Sequence, residues 1–207
     1  MIIRPKLRDL SRKFIVENKG IAAIEFALIA PIMIAFYFGV TEISMAISAD
    51  REVAHTASVA GDLATQVSQL DGDGVEDIMT ASLAILGISS SEIKDVTVEL
   101  NSYIVDPNNN SIDLIGYARM GDEISAGGPA TFDPSVIKTD LLTASSGLVV
   151  ARVNFKYSPL TFTFMDNTTL HETFYLKPRK SISVPFDENG KSNFSCKANA
   201  NLKVNCS

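Results

Sequence analysis

Glu25 stands inside a run of residues otherwise suited to lipid. The run reads Gly20-Ile21-Ala22-Ala23-Ile24-Glu25-Phe26-Ala27-Leu28-Ile29-Ala30-Pro31-Ile32-Met33-Ile34-Ala35-Phe36-Tyr37-Phe38-Gly39-Val40-Thr41-Glu42, and no charge occurs from Phe26 to Thr41. It reaches membrane length only when the residues before Glu25 are counted, which puts a carboxylate at membrane depth. A lone ionised acid there costs about 3 kcal/mol or more on insertion scales. Two remedies are open: the side chain snorkels to the inner interface, or it meets a cation. The chemistry open to Glu25 is therefore charge pairing.

Other reactive side chains are sparse. His55 falls in a helical pattern and His171 in a strand pattern, and each reads as a surface or packing residue rather than a base. No Gly-x-Ser-x-Gly elbow, P-loop, Rossmann fingerprint or His-Glu-x-x-His is present, and no carboxylates pair across a recognisable cleft. We therefore expect no enzyme, no catalytic residues, no cofactor and no bound metal. Asp71-Gly72-Asp73-Gly74 has calcium-like residue types but lacks the twelve-residue ligand loop. Turn chemistry and a helix N-cap explain it more simply. Cys196 and Cys206 would close a small loop as a disulfide in an oxidising compartment. Free thiols or a metal pair are the alternatives, and no His lies near the two cysteines to support a metal.

These residues need elements to hold them. Six basic residues (Arg4, Lys6, Arg8, Arg12, Lys13, Lys19) face only Asp9 and Glu17 in the first 19 positions, a bias that places the N-terminus in the cytoplasm and exports the C-terminal remainder of the chain. The whole chain of 207 residues carries a net charge of -6, so the exported part is more acidic still, which argues against nucleic acid as a partner. The expected divisions are a basic cytoplasmic leader (1–20), a transmembrane and extended helix (21–70), a periplasmic domain (71–185), and a polar tail with a disulfide (186–207). Pro31 should kink or loosen the long helix. Beyond Thr41, the stripe Ile43, Ile47, Ala54, Ala57, Ala60, Ala64 and Val67 suits close packing, on another helix or on the protein's own sheet.

Val75–Leu86 reads as a second, short helix. Val96–Met120 reads as a hairpin about the turn Asp106–Asn110, with further strands at Leu148–Tyr157 and Leu170–Leu176 and a short helix over Pro134–Leu142. Pro159–Met165 alternates apolar residues with threonine, as a partner-facing edge, a membrane-proximal loop or core would. From Asp187 onward the Asn-, Lys- and Ser-rich chain is expected to be flexible apart from the disulfide. The fold class is α+β: a long N-terminal transmembrane helix, then a domain with an antiparallel sheet of about four strands.

An uncleaved signal anchor explains the N-terminal residues simply. They also match a type IV prepilin leader, in which the cut follows a Gly and the fifth mature residue is Glu; Gly20, Ile21 and Glu25 have that spacing. Ala23-Ile24-Glu25-Phe26-Ala27-Leu28-Ile29-Ala30-Pro31, followed by Gly39-Val40-Thr41-Glu42, closely resembles the TadE/TadG-like family of pseudopilins of the Flp (tight adherence) pilus. Arg51–Gln66 and Phe174-Tyr175-Leu176-Lys177-Pro178-Arg179 look similar to later family segments, and the resemblance stops near Ser181. It implies a pilin-like domain anchored in the bacterial inner membrane. The implied partners are a prepilin peptidase cutting between Gly20 and Ile21, and other pilus or pseudopilin subunits. It also implies an assembly role for Glu25, paired with the freed α-amino group at Ile21 of the same or a neighbouring subunit.

Overall fold

The structure, a computed structural model, describes residues 20–108, 111–121, 132–137, 142, 146–160 and 165–207. It divides into two units, Met1–Ser44 (described from residue 20) and Met45–Ser207. Helix α1, Ile21–Thr65, has 45 residues and continues through Pro31 without a break. At 1.5 Å per residue it is about 68 Å long, roughly twice what a bilayer's hydrocarbon core requires. In the first unit its apolar side chains are open: Phe26, Ile32 and Phe36 are each at least 70% exposed.

The second unit is α+β, with a sheet of six strands among the described residues rather than about four. The strands are β1 (Val96–Val105), β2 (Ile112–Met120), β3 (Gly147–Tyr157), β4 (Thr168–Leu176), β5 (Asn193–Ala198) and β6 (Val204–Cys206), in the spatial order β4-β3-β1-β2-β5-β6. The expected hairpin is β1–β2, and β3 and β4 extend it antiparallel on the β1 side. On the other side β5 pairs parallel to β2, so the sheet is mixed. Residues 177–192 carry the chain from β4, at one edge of the sheet, back to β5 beside β2.

One face of the sheet holds the core. Val96, Val98 and Leu100 on β1 lie opposite Phe155, Val153 and Ala151 on β3, and they cluster with Val53, Ala57, Ala60 and Ala64 of α1. Of the small-residue stripe, Ala57, Ala60 and Ala64 thus cover the protein's own sheet and Val67 packs against them, whereas Ile43 and Ile47 are exposed. Gly61 permits the approach: a Cβ there would meet the Ala151 Cβ at 3.0 Å and collide with Leu176. Helix α2, Gly72–Leu86, adds Val75, Ile78, Met79, Leu83 and Leu86 to the same core. Asp71 is its N-cap, its Oδ1 accepting from the Gly74 N–H at 2.9 Å, and Gly87 closes it in the left-handed conformation, φ 61°.

The sheet's other face is more polar. Phe132, Ile137 and Leu142, from the β2–β3 connection, cover Tyr103, Val105, Leu148 and Val150 there. Pro134–Val136 is a short 3-10 turn; the rest of the helix expected to Leu142 lies largely outside the described residues, as do residues 109–110, 161–164 and the leader before Gly20. Burial pushes the Tyr103 hydroxyl up to about 12, with smaller influences from Arg119, Glu99 and Asp133.

The tail differs most from expectation. Phe186, Phe194 and Val204 are 1% exposed, and Cys196 is 2% exposed. Leu70 clasps the chain by donating to Pro185 O and accepting from the Asp187 N–H, both at 3.0 Å. Phe186 then lies over Gly116, where a Cβ would approach the Phe186 Cβ to 2.7 Å. The tail's polar composition hid an alternation in which Phe194, Cys196 and Ala198 face inward while Ser195 and Lys197 face outward. Its few apolar residues complete a sheet instead of hanging free.

Candidate functional site

The head of α1 gathers the residues singled out for processing and assembly. Gly20 directly precedes the helix, Ile21 is its first residue, and Glu25 follows one turn later. All three are exposed. Residues four apart share a helix face, so the Glu25 carboxylate lies on the face that starts at Ile21. A helix N-terminus carries partial positive charge, and a free α-amino group at Ile21 would add a full one. An acid one turn in is placed to pair with both.

Among the described residues, nothing in conformation or packing requires glycine at position 20. A Cβ at that position would meet nothing within 4 Å, and its backbone φ is not in the left-handed region. The surrounding helix is long and apolar enough to cross a membrane, and none of its most apolar window is buried. Glu42, the second acid of the segment, is 1% exposed; the sequence reading gave it no role.

The other singled-out residues lie in the second unit. Cys196 and Cys206 form a disulfide between directly paired positions of β5 and β6. The Ser195 and Ser207 backbones exchange two hydrogen bonds at 3.0 Å beside it, and the Cys206 N–H donates to Glu76 Oε1 of α2 at 2.7 Å. Among the described residues no group of three or more His, Cys, Asp or Glu could hold a metal. His55 is exposed on α1, and His171 is exposed on β4 and lines a cleft that the sequence did not reveal.

The two later stretches with familiar residues meet in space. Arg179, just past β4, forms an ion pair with Asp62 of α1, and its backbone N–H donates to Thr65 O at 3.1 Å. Thr65 Oγ1 and Gln66 Nε2 donate to Asp62 O and Oδ2 at 2.8 and 2.7 Å. This cluster satisfies the end of the helix. The ion pair itself is surface-exposed and contributes about 1 kcal/mol at most; its geometry, more than its energy, fixes where α1 stops.

No curated protein and no solved structure matches the chain. Residues 20–62 match a family model described as TadE-like protein. That match covers the head of α1, its apolar span and the stretch through Gly61-Asp62. The segment that carries Gly20, Ile21, Glu25 and Glu42 is TadE-like, the family that its residue pattern resembles.

Proposed function

We propose that this chain is a minor pseudopilin of a Flp/Tad-type pilus, a structural and assembly component and not an enzyme. The observation that carries the reading is an acid one turn into a lipid-compatible, open helix within a TadE-like segment. Gly20 supports it further, since nothing among the described residues explains that glycine. A peptidase that requires a small residue before the cut does explain it.

In this reading a prepilin peptidase cuts between Gly20 and Ile21. The mature helix stays in the inner membrane, the basic leader is left in the cytoplasm, and the sheet domain lies in the periplasm. Glu25 then neutralises the new amino terminus of its own or a neighbouring subunit, so that neither charge is buried alone. Other pilus subunits dock along the same helix.

The competing reading is an uncleaved single-pass anchor carrying a periplasmic binding or sensing domain. N-terminal analysis of the membrane-extracted protein separates the two. The expected mature chain begins at Ile21, and Gly20→Val should block its appearance. Full-length protein beginning at Met1, from cells with an active prepilin peptidase, would establish the anchor.

A further inference from the structure

We propose that the polar face of the sheet carries a binding site for a small phosphate-bearing ligand, about the size of a sugar phosphate. A cleft of about 280 Å³ opens there between the 3-10 turn Ile93–Asp95 and the ends of β1, β3 and β4. Thr97 of β1, Asn154 of β3 and His171 of β4 form one row across its floor, in register. Arg152 lies two residues before Asn154 on the same face, and Lys94 reaches in from the turn.

The charge is out of keeping with the rest of the molecule. The chain as a whole carries -6, yet Lys94, Arg152 and Lys156 line this one cleft against the single carboxylate of Asp95. Behind Arg152, the register places Glu99 between Arg152 and Arg119. One carboxylate between two guanidiniums leaves that row positive as well. Among the described residues the buried Nε of Arg152 has no acceptor, a state that stays unfavourable until one arrives. Like-charged side chains gathered with a donor held out of water describe a site prepared for an anion.

The number of donors favours phosphate over carboxylate. Arg152, Lys94 and His171, with the hydroxyls of Thr97 and Thr169 and the amide of Asn154, offer more hydrogens than two carboxylate oxygens can accept. A phosphate monoester presents three terminal oxygens and up to two charges. The cleft volume leaves room for a polar group attached to it. The phosphate can belong to a free sugar phosphate or to a lipid headgroup. The site does not rest on the pilus reading.

The test uses the full chain in an uncharged detergent. Its two histidines supply an internal control: His171 lines the cleft, and His55 lies on α1 and does not. Their ring signals are followed by NMR as inorganic phosphate, a hexose phosphate, or nanodiscs of phosphatidylglycerol are added at constant ionic strength. The expected result is a saturable shift of His171 with His55 unmoved. Arg152→Gln and Lys94→Gln should each weaken it at least about tenfold. A response to the soluble phosphates identifies a free ligand, and a response to the nanodiscs alone identifies a headgroup. The proposal is overturned if His171 responds to none of the three, if both histidines shift together, or if the variants bind like the parent. Lys94 is exposed in a turn, so its variant keeps the test decisive should Arg152→Gln fail to fold.

Discussion

Glu25 and Tyr103 are both polar groups in costly places, and each has a substitution that reveals its purpose. On the proposed membrane-spanning reading, replacing Glu25 by Ala removes an intramembrane charge, so insertion should become easier. Membrane level and domain folding are expected to survive, while subunit association and pilus production fall to background, since in the proposed assembly the new amino terminus would lose its partner. Glu25→Gln keeps size and hydrogen bonding without charge, and should be nearly as defective. Normal pili and adherence in both variants would remove the assembly role. Tyr103 is 1% exposed and its hydroxyl has no hydrogen-bond partner among the described residues, so Tyr103→Phe should raise stability by about 1 kcal/mol. Linkage gives a second signature. The folded-state value is pushed up to about 12 from the ordinary 10.0, so the protonated form is favoured by folding. That stability is complete below pH 10 and is lost as pH rises towards 12. Denaturant titrations across this window should show a steeper alkaline decline in the parent than in Tyr103→Phe, by on the order of 2–3 kcal/mol at its end. Equal slopes would mean that Tyr103 ionises without regard to folding.

Strands β5 and β6 decide whether the tail is an appendage or part of the fold. Phe186 is packed on Gly116 and buried with Val184 and Val204, so Phe186→Ala should cost about 3–5 kcal/mol in urea unfolding. The Cys196–Cys206 loop is short, and loop-closure entropy gives it about 2–3 kcal/mol. The double Cys→Ser variant should stay folded with its midpoint lowered accordingly. Complete unfolding would mean that β6 is held by the disulfide alone, without help from Glu76 of α2. How legible these elements were depended on pattern strength. Long uninterrupted periodicity exposed α1, and clean alternation with an Asp-Pro-Asn turn exposed the β1–β2 hairpin. β3 and β4 were visible for the same reason. β5 and β6 were not, because six-residue and three-residue strands with one polar face look like coil when Asn, Lys and Ser dominate the count. The pairing of β5 with β2 is also non-local, across about seventy-five residues of chain by the register of Ala118 with Phe194, and no local signal encodes it. At the candidate site, the Gly20–Glu25 spacing was readable as a linear motif. The cleft was not, because Lys94, Arg152 and His171 come together only through strand register.

At the scale of the whole molecule, charge and redox chemistry give two independent readings of orientation. The basic excess before Gly20 should hold the N-terminus in the cytoplasm, since positive residues flanking a first span resist export. The disulfide at the other end of the chain requires an oxidising compartment to persist. Neither fact depends on the pilus reading, and they concern opposite ends of the sequence, so agreement between them is informative. A periplasm-only reporter fused after Ser207 is expected to be active, and a cytoplasm-only reporter at the same site silent. Alkylation of the intact protein under non-reducing conditions should find no free thiol. Changing Arg4, Lys6, Arg8, Arg12, Lys13 and Lys19 together to Gln should weaken the orientation signal and raise the inverted fraction. In that inverted fraction the cysteines should become alkylatable, because the same tail now lies in a reducing compartment. Thiol exposure that tracks the reporter in this way would tie topology to the basic leader. An active cytoplasmic reporter in the parent, or a disulfide that persists in the inverted fraction, would overturn the orientation and with it the periplasmic placement of the sheet.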